Sequence, residues 1–425
     1  MVLDRTQAPE FQAVSEIRLP AYETFTLDNN VPVYLISVMQ QPVVRLEIIL
    51  DAGSWYEQTP SAAFFTIKML TEGTKTRTSA EISEYLDSFG AFVELNSGPD
   101  RASIVVYCLT KYLGPVLSLM REVLTTPVFP EKELEDLRNI TLQNLRVSFE
   151  KNAYIAGVRM REKLFGSKHP YGRMQQPAAV EAITRADVVS FYENVIRDRP
   201  FRVLLAGHAT ALDVELVNRE LGQIPTSVPV SVRQDFIPAP DTTPLTVDKA
   251  ASVQSSVRLG RVLFTREHPD FVKMLVTNEV FGGYFGSRLM KNIREDKGFT
   301  YGISSSLISF RHEGFFTLGT DVKKENTRQT LDEIAKEVRI LQTEPVSESE
   351  LETVKNFMAG EFVGSLNTPF EIADRYKVIL LDGMPDDFLN TYIPRLRAVT
   401  PEEIMQMASQ YLDINRLTEI VVGGK

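Results

Sequence analysis

The sequence predicts an α+β fold of two duplicated domains, each a largely antiparallel sheet covered by helices, joined by a proline-rich linker. Three observations predict it. Between Ile224 and Leu245 the chain carries Pro225, Pro229, Pro238, Pro240 and Pro244 in a mostly polar stretch, and closely spaced prolines interrupt helix and ladder alike. That stretch divides the 425 residues into a first domain over 1–224, a linker over 225–245 and a second domain over 246–425. The two parts also echo each other: Thr126-Pro127-Val128-Phe129-Pro130-Glu131-Lys132-Glu133-Leu134 resembles Glu344-Pro345-Val346-Ser347-Glu348-Ser349-Glu350-Leu351. Each copy follows a helix-like segment (112–124 and 327–341) and opens another, the second through a Ser347-x-x-Glu350 capping pattern. Finally, strands and helices come in pairs rather than in strict βαβ alternation, which favours helices layered on a mainly antiparallel sheet.

Taken in order, residues 33–37 and 44–51 read as strands. In the second, Val44, Leu46, Ile48 and Leu50 alternate with Arg45 and Glu47, so one buried face is expected. A helix is expected over 61–72, stopped at Gly73, and another over 79–89 with Ile82, Leu86 and Phe89 on one side. Strands at 92–95 and 103–108 follow, then long helices near 131–150 and 153–165. Glu131 to Arg138 reads as a solvated helix face with i,i+4 ion pairs, and Pro99-Asp100-Arg101 as a simple turn. Met69, Met274 and Met290 read as core filler, Trp55 as core or interface packing.

With 43% hydrophobic and 24% charged residues the chain can bury large cores and is not a disordered protein. A formal charge of −10 argues against a nucleic-acid face that works by neutralising phosphates. The single cysteine, Cys108, sits in an apolar strand-like run and reads as a buried, inert thiol. The opening residues lack a signal-like apolar core and no later stretch is long and apolar enough to span a membrane. With Met1 taken as the natural start, a soluble cytoplasmic protein is expected.

The chemistry-bearing residues do not assemble a catalytic centre on their own. His169, His208, His268 and His312 are the four histidines, and no two lie within a helical turn, which excludes local His-pair motifs. Their turn-like neighbours suggest surface or turn roles. A nucleophile elbow and a phosphate loop ending in Lys-Ser or Lys-Thr are both absent. The run Gly282-Gly283-Tyr284-Phe285-Gly286-Ser287-Arg288-Leu289 follows a helix-like segment (271–281) rather than a strand, so it reads as a helix terminus and tight turn.

The order of several segments nevertheless resembles the insulinase/pitrilysin family of inverted-motif zinc peptidases over nearly the whole chain. They are Leu27-Asp28-Asn29-Asn30, Asp51-Ala52-Gly53-Ser54, Met69-Leu70-Thr71-Glu72-Gly73-Thr74, the run from Leu164 through His169-Pro170-Tyr171-Gly172-Arg173, Gly282-Gly283 through Leu289, and Arg294-Glu295-Asp296-Lys297-Gly298-Phe299-Thr300-Tyr301. The resemblance implies that each half is an α+β domain of its own. It also implies a His-x-x-Glu-His helix before the Met69 and Gly73 landmarks, where this chain has Phe64, Ile67 and Lys68 instead. That face would offer a ring, an aliphatic chain and an ammonium, none of which ligates zinc. The family's third ligand, a glutamate on the later helix, falls at Asn144.

The resemblance implies the opposite for the second half. Arg294 and Tyr301 keep the family's seven-residue spacing and would hydrogen-bond a substrate carbonyl and its oxyanion, acting in trans. Without the resemblance, they read as a surface arginine paired with Glu295 or Asp296 and a half-buried strand tyrosine. The expectation is a non-catalytic subunit of a heteromeric zinc peptidase. It needs no cofactor in this chain, and zinc is expected in a homologous partner subunit bearing His-x-x-Glu-His. Extended peptides are the substrate, and a dimer with no nucleic-acid or membrane partner is implied. The competing expectation is a zinc-free homodimer that binds peptides or serves as a scaffold.

Overall fold

The computed structural model describes residues 6, 14, 16–38, 41–227 and 236–424. In the first half the elements are β1 (Glu23–Thr26), β2 (Pro32–Ser37), β3 (Val43–Leu50), α1 (Ala62–Lys68), α2 (Ser79–Ser88), β4 (Phe92–Ser97), β5 (Ala102–Leu109), α3 (Leu113–Thr125), α4 (Glu131–Glu150), α5 (Asn152–Phe165), α6 (Pro177–Ala182), α7 (Arg185–Phe191), β6 (Phe201–Gly207) and α8 (Ala211–Leu221). The second half has β7 (Leu245–Asp248), β8 (Gln254–Leu263), α9 (Phe271–Asn278), β9 (Thr300–Ser309), β10 (Gly314–Lys323), α10 (Thr327–Thr343), α11 (Glu348–Gly364), α12 (Pro369–Asp382), α13 (Tyr392–Ala398), α14 (Pro401–Tyr411) and β11 (Thr418–Gly423). The expected linker is without helix or strand at 225–227 and 236–244, while Leu245, counted with it, opens β7. Pro229 and the rest of 228–235 lie outside the described residues.

Two sheets result among the described residues, ordered β1-β2-β6-β3-β5-β4 and β7-β11-β8-β10-β9. The second order is the first without β1, with β7 standing for β2, β11 for β6, β8 for β3, β10 for β5 and β9 for β4. Even the single parallel pairing of each sheet recurs, β2 with β6 and β7 with β11. The helices repeat too. In both halves a helix ahead of the last strand opens on a threonine capping box, Thr184 with Asp187 for α7 and Thr400 with Glu403 for α14. The Ser347 pattern is met in one direction: its hydroxyl accepts from Glu350 N.

Each half builds its own sheet, as the resemblance implies, and the two halves also exchange helices. The inner face of each sheet is covered by its own helices, but part of the outer face is covered by a helix from the other half. Helix α5 packs on β8 and β11, joining Ala156, Met160, Leu164 and Phe165 to Phe315, Ile420 and Val422 in one buried cluster. Gly260 permits the approach: a Cβ there would stand 3.0 Å from the Met160 sulfur and 2.8 Å from the Phe316 carbonyl oxygen. Reciprocally, α12 packs on β6 and β2, so that Ile36, Ile49, Leu204 and Ala206 of the first sheet belong to the second half's core.

This exchange corrects the expectation of one buried face for β3. Both faces are covered, and Arg45 and Glu47 are 5% and 3% exposed. They survive burial because α12 brings complementary charge. Arg45 donates to Glu47 at 2.5 Å and to Asp374 at 2.8 Å, and Lys377 lies 3.1 Å from Glu47 and 2.8 Å from Asp374, closing a four-charge ring.

The Pro99-Asp100-Arg101 segment is likewise more than a turn. Asp100 accepts from the Tyr171 hydroxyl at 2.5 Å and from Arg311 N at 3.1 Å. Arg101 pairs with Asp382 at 2.8 Å. Asp51 gathers Arg202 at 3.4 Å and Arg311 at 3.2 Å. Burial and Asp100 hold the Tyr171 phenol well above its ordinary value. Trp55 stacks on His312 at 4.2 Å beside this network, packing at the junction between the halves. His169, expected at the surface or in a turn, lies in a turn but is buried in the same cluster, its Nδ1 accepting from Tyr171 N at 3.0 Å. Cys108 is buried on β5, its thiol pushed up to about 12 by burial. Met69, Met274 and Met290 are core residues.

Candidate functional site

Helix α1 is shorter than the 61–72 expected, because the chain turns away after Lys68 and reaches Gly73 at φ +150°. Phe64 is half-buried against the first core, its ring 5.4 Å from that of Phe65. Ile67 is wholly buried. The Lys68 ammonium donates to the Leu95 carbonyl of β4 at 2.5 Å. In the turn that joins β4 to β5, Gly98 N donates to Arg101 O at 2.8 Å. With the β4–β5 register, alternation then turns the backbone groups of Asn96 and Glu94 towards β5 and those of Leu95 towards the free edge. Lys68 therefore occupies one outward carbonyl of an edge strand, a common way of blunting such an edge.

Asn144 lies on the exposed side of α4, whose buried side carries Thr141, Leu142 and Leu145. No hydrogen bond among the described residues links it to α1. These four positions do not fit a zinc ion: a phenyl ring and an aliphatic chain have no donor atom, and the ammonium is committed to a backbone oxygen. Among the described residues no group of three or more His, Cys, Asp or Glu side chains is placed to hold a metal.

The second half presents a different surface. Helix α9 ends at Asn278, earlier than the 271–281 expected, and passes into a π-helical turn, Glu279–Gly283. A second π-helical segment, Met290–Asp296, carries Arg294. Single π turns are frequent at functional sites. Glu279 leans over Gly283, where a Cβ would fall 2.4 Å from its carboxylate, and burial and Glu361 push its carboxyl up to about 7.

Tyr301 is the second residue of β9, the edge strand of its sheet, and is 92% exposed rather than half-buried. The Arg294 guanidinium lies over the Tyr301 ring at 5.5 Å and over the Phe285 ring at 4.4 Å. Arg294 makes no ion pair with Glu295 or Asp296 and no hydrogen bond among the described residues, so its five N–H donors are uncommitted. The seven-residue spacing thus places a guanidinium and a phenol side by side at a free strand edge. Phe285 is a member of this group that sequence reasoning read only as part of a turn, and no local signal set it apart from its neighbour Tyr284.

Comparisons with known proteins give the family of the chain. The model described as Insulinase (Peptidase family M16) matches residues 33–164, and that described as Peptidase M16 inactive domain matches residues 182–358. A Bacillus subtilis protein described as the uncharacterized zinc protease YmxG is 24% identical over 400 residues, covering 91% of this chain and 94% of its own. The Helicobacter pylori non-peptidase homolog YmxG is 22% identical over 365 residues, covering 84% of this chain and 83% of its own. A solved Pseudomonas fluorescens structure described as a peptidase M16 inactive domain superposes with a TM-score of 0.85 at 22% identity, covering 95% of this chain and 98% of that one. Family models over both halves, one duplicated α+β architecture and a zinc helix without ligands lead to one assignment. The chain belongs to the insulinase family, peptidase family M16, and carries that family's inactive domain over residues 182–358.

Proposed function

We propose that this chain is the non-catalytic subunit of a heteromeric zinc peptidase. A homologous partner supplies the His-x-x-Glu-His helix and the metal. This chain contributes half of the peptide chamber and, in trans, Arg294 and Tyr301. One observation carries the reading: Arg294 keeps all its donors free beside an almost fully exposed Tyr301 at a strand edge. A guanidinium and a phenol both donate towards oxygen, and a donor aimed at a developing oxyanion contributes roughly 10²–10³ in kcat. A dimer of the two chains, acting on extended peptides in the cytoplasm, completes the reading.

The test is hydrolysis of a fluorogenic peptide library by this chain, by an HxxEH-bearing relative from the same organism, and by the two mixed with zinc. Activity confined to the mixture, and reduced about 100-fold or more by Arg294→Ala, is the expected result. No gain on mixing two chains that demonstrably bind would overturn it. The second reading, a zinc-free peptide-binding scaffold or homodimer, is favoured by the relative described as a non-peptidase homolog. It predicts peptide binding without hydrolysis in every mixture.

A further inference from the structure

Phe285 is 64% exposed at the turn between the two π-helical segments. Its neighbours hold it there. Tyr284 turns inward and packs on Phe357, with ring centroids 4.8 Å apart. Gly286 leaves room for that fold, since a Cβ at Gly286 would stand 2.8 Å from the Tyr284 ring. With Tyr284 anchored inward, Phe285 projects outward against the Arg294 guanidinium, 4.4 Å from its ring centroid.

An arginine side chain on a surface samples many rotamers, and ordering it is entropically unfavourable. A ring over the guanidinium narrows that choice through cation–π attraction while consuming none of the N–H donors. The remainder of the phenyl surface stays open to solvent, beside the donors it steadies.

We propose that Phe285 positions Arg294 and also selects substrate, offering an apolar shelf that favours peptides with an aromatic side chain next to the oxygen Arg294 holds. This rests on the reading of Arg294 and Tyr301 as a peptide-oxygen site. The two parts share one surface: the ring face nearer Arg294 positions, and the exposed face selects.

The test uses the purified full chain and two fluorescein-labelled, N-acetylated and C-amidated short peptides that differ only in a central Phe or Gly, read by fluorescence anisotropy. The wild-type chain should bind the Phe peptide about three- to tenfold more tightly, the range of one aromatic pair. Phe285→Ala should bring the ratio of the two affinities close to one, and Phe285→Tyr should restore it. Arg294→Ala should weaken both peptides and leave the ratio in place. A wild-type ratio near one, or a ratio unchanged in Phe285→Ala, overturns the role of Phe285 while leaving the oxygen site standing. If Arg294→Ala and Tyr301→Phe both bind the two peptides like wild type, or the wild type binds neither, the oxygen-site reading fails, and this proposal with it. Phe285 is a surface side chain, so its replacement should leave the circular dichroism spectrum unchanged.

Discussion

Replacing Glu47 by leucine tests how firmly the two halves hold each other. Glu47 is almost wholly buried and receives Arg45 at 2.5 Å and Lys377 at 3.1 Å. Without it, Arg45 keeps Asp374 at 2.8 Å and the Phe370 carbonyl at 3.2 Å, but Asp374 is half exposed and its charge is screened by water. Breaking a buried pair from one side costs about 3–5 kcal/mol. The surviving Asp374 contact places the expected loss at the lower end, about 3 kcal/mol. With a urea dependence of roughly 3 kcal/mol per molar for a large chain, the unfolding midpoint should fall by about 1 M. Trp55, the only tryptophan, stacks against His312 where the halves meet, so its fluorescence reports the loss directly. The double replacement Arg45→Met with Glu47→Leu removes both buried charges and should recover most of the midpoint. A shift below about 0.3 M in the single variant, or a double variant no better than the single, would refute the reasoning.

Acid should weaken the same junction. Burial holds the imidazoles of His169 and His312 below their ordinary value. Their contribution is therefore complete above the unfolded-chain value of about 6.5 and is lost as pH falls through the lower folded values. Urea midpoints should decline from pH 7 to pH 5, and the decline should flatten in His169→Asn combined with His312→Phe; an equally steep decline in that variant contradicts the assignment. Two glycines should respond in opposite directions. Gly172→Ala places a Cβ 2.2 Å from the Gly166 carbonyl oxygen and should cost about 1–3 kcal/mol by urea unfolding. Gly157→Ala, inside α5 with open space around it, should stabilise by about 0.5–1 kcal/mol in the same assay.

Local pattern sufficed wherever an element's own period and end signals decide its kind and limits. The strand at 44–51, the helix at 131–150 and the end of the long helix at Phe165 were legible because apolar period and end signals act over a turn or two. The duplication was legible from a weak echo at Pro127 and Pro345, although the capping boxes at Thr184 and Thr400 mark it more sharply. Long-range partnership was not legible. Arg45 and Glu47 look like an outward face until α12 arrives from hundreds of residues away with Asp374 and Lys377. Asp100 looks like a turn residue until Tyr171 and Arg311 close on it. At the candidate site the spacing of Arg294 and Tyr301 was legible, but the companion ring of Phe285 was not, since nothing local tells an exposed phenylalanine from a buried one.

The crossing of α5 onto the second sheet also orders events during synthesis. Its apolar residues Ala156, Met160 and Leu164 leave the ribosome early, yet the cluster they join includes Ile420 and Val422 of β11. At ~5–20 residues per second, the helix waits for tens of seconds before its docking surface, begun by β8, is completed by β11. Throughout that interval the nascent first half displays a sticky helical flank, open to chaperones or to the wrong sheet of a neighbouring polysome product.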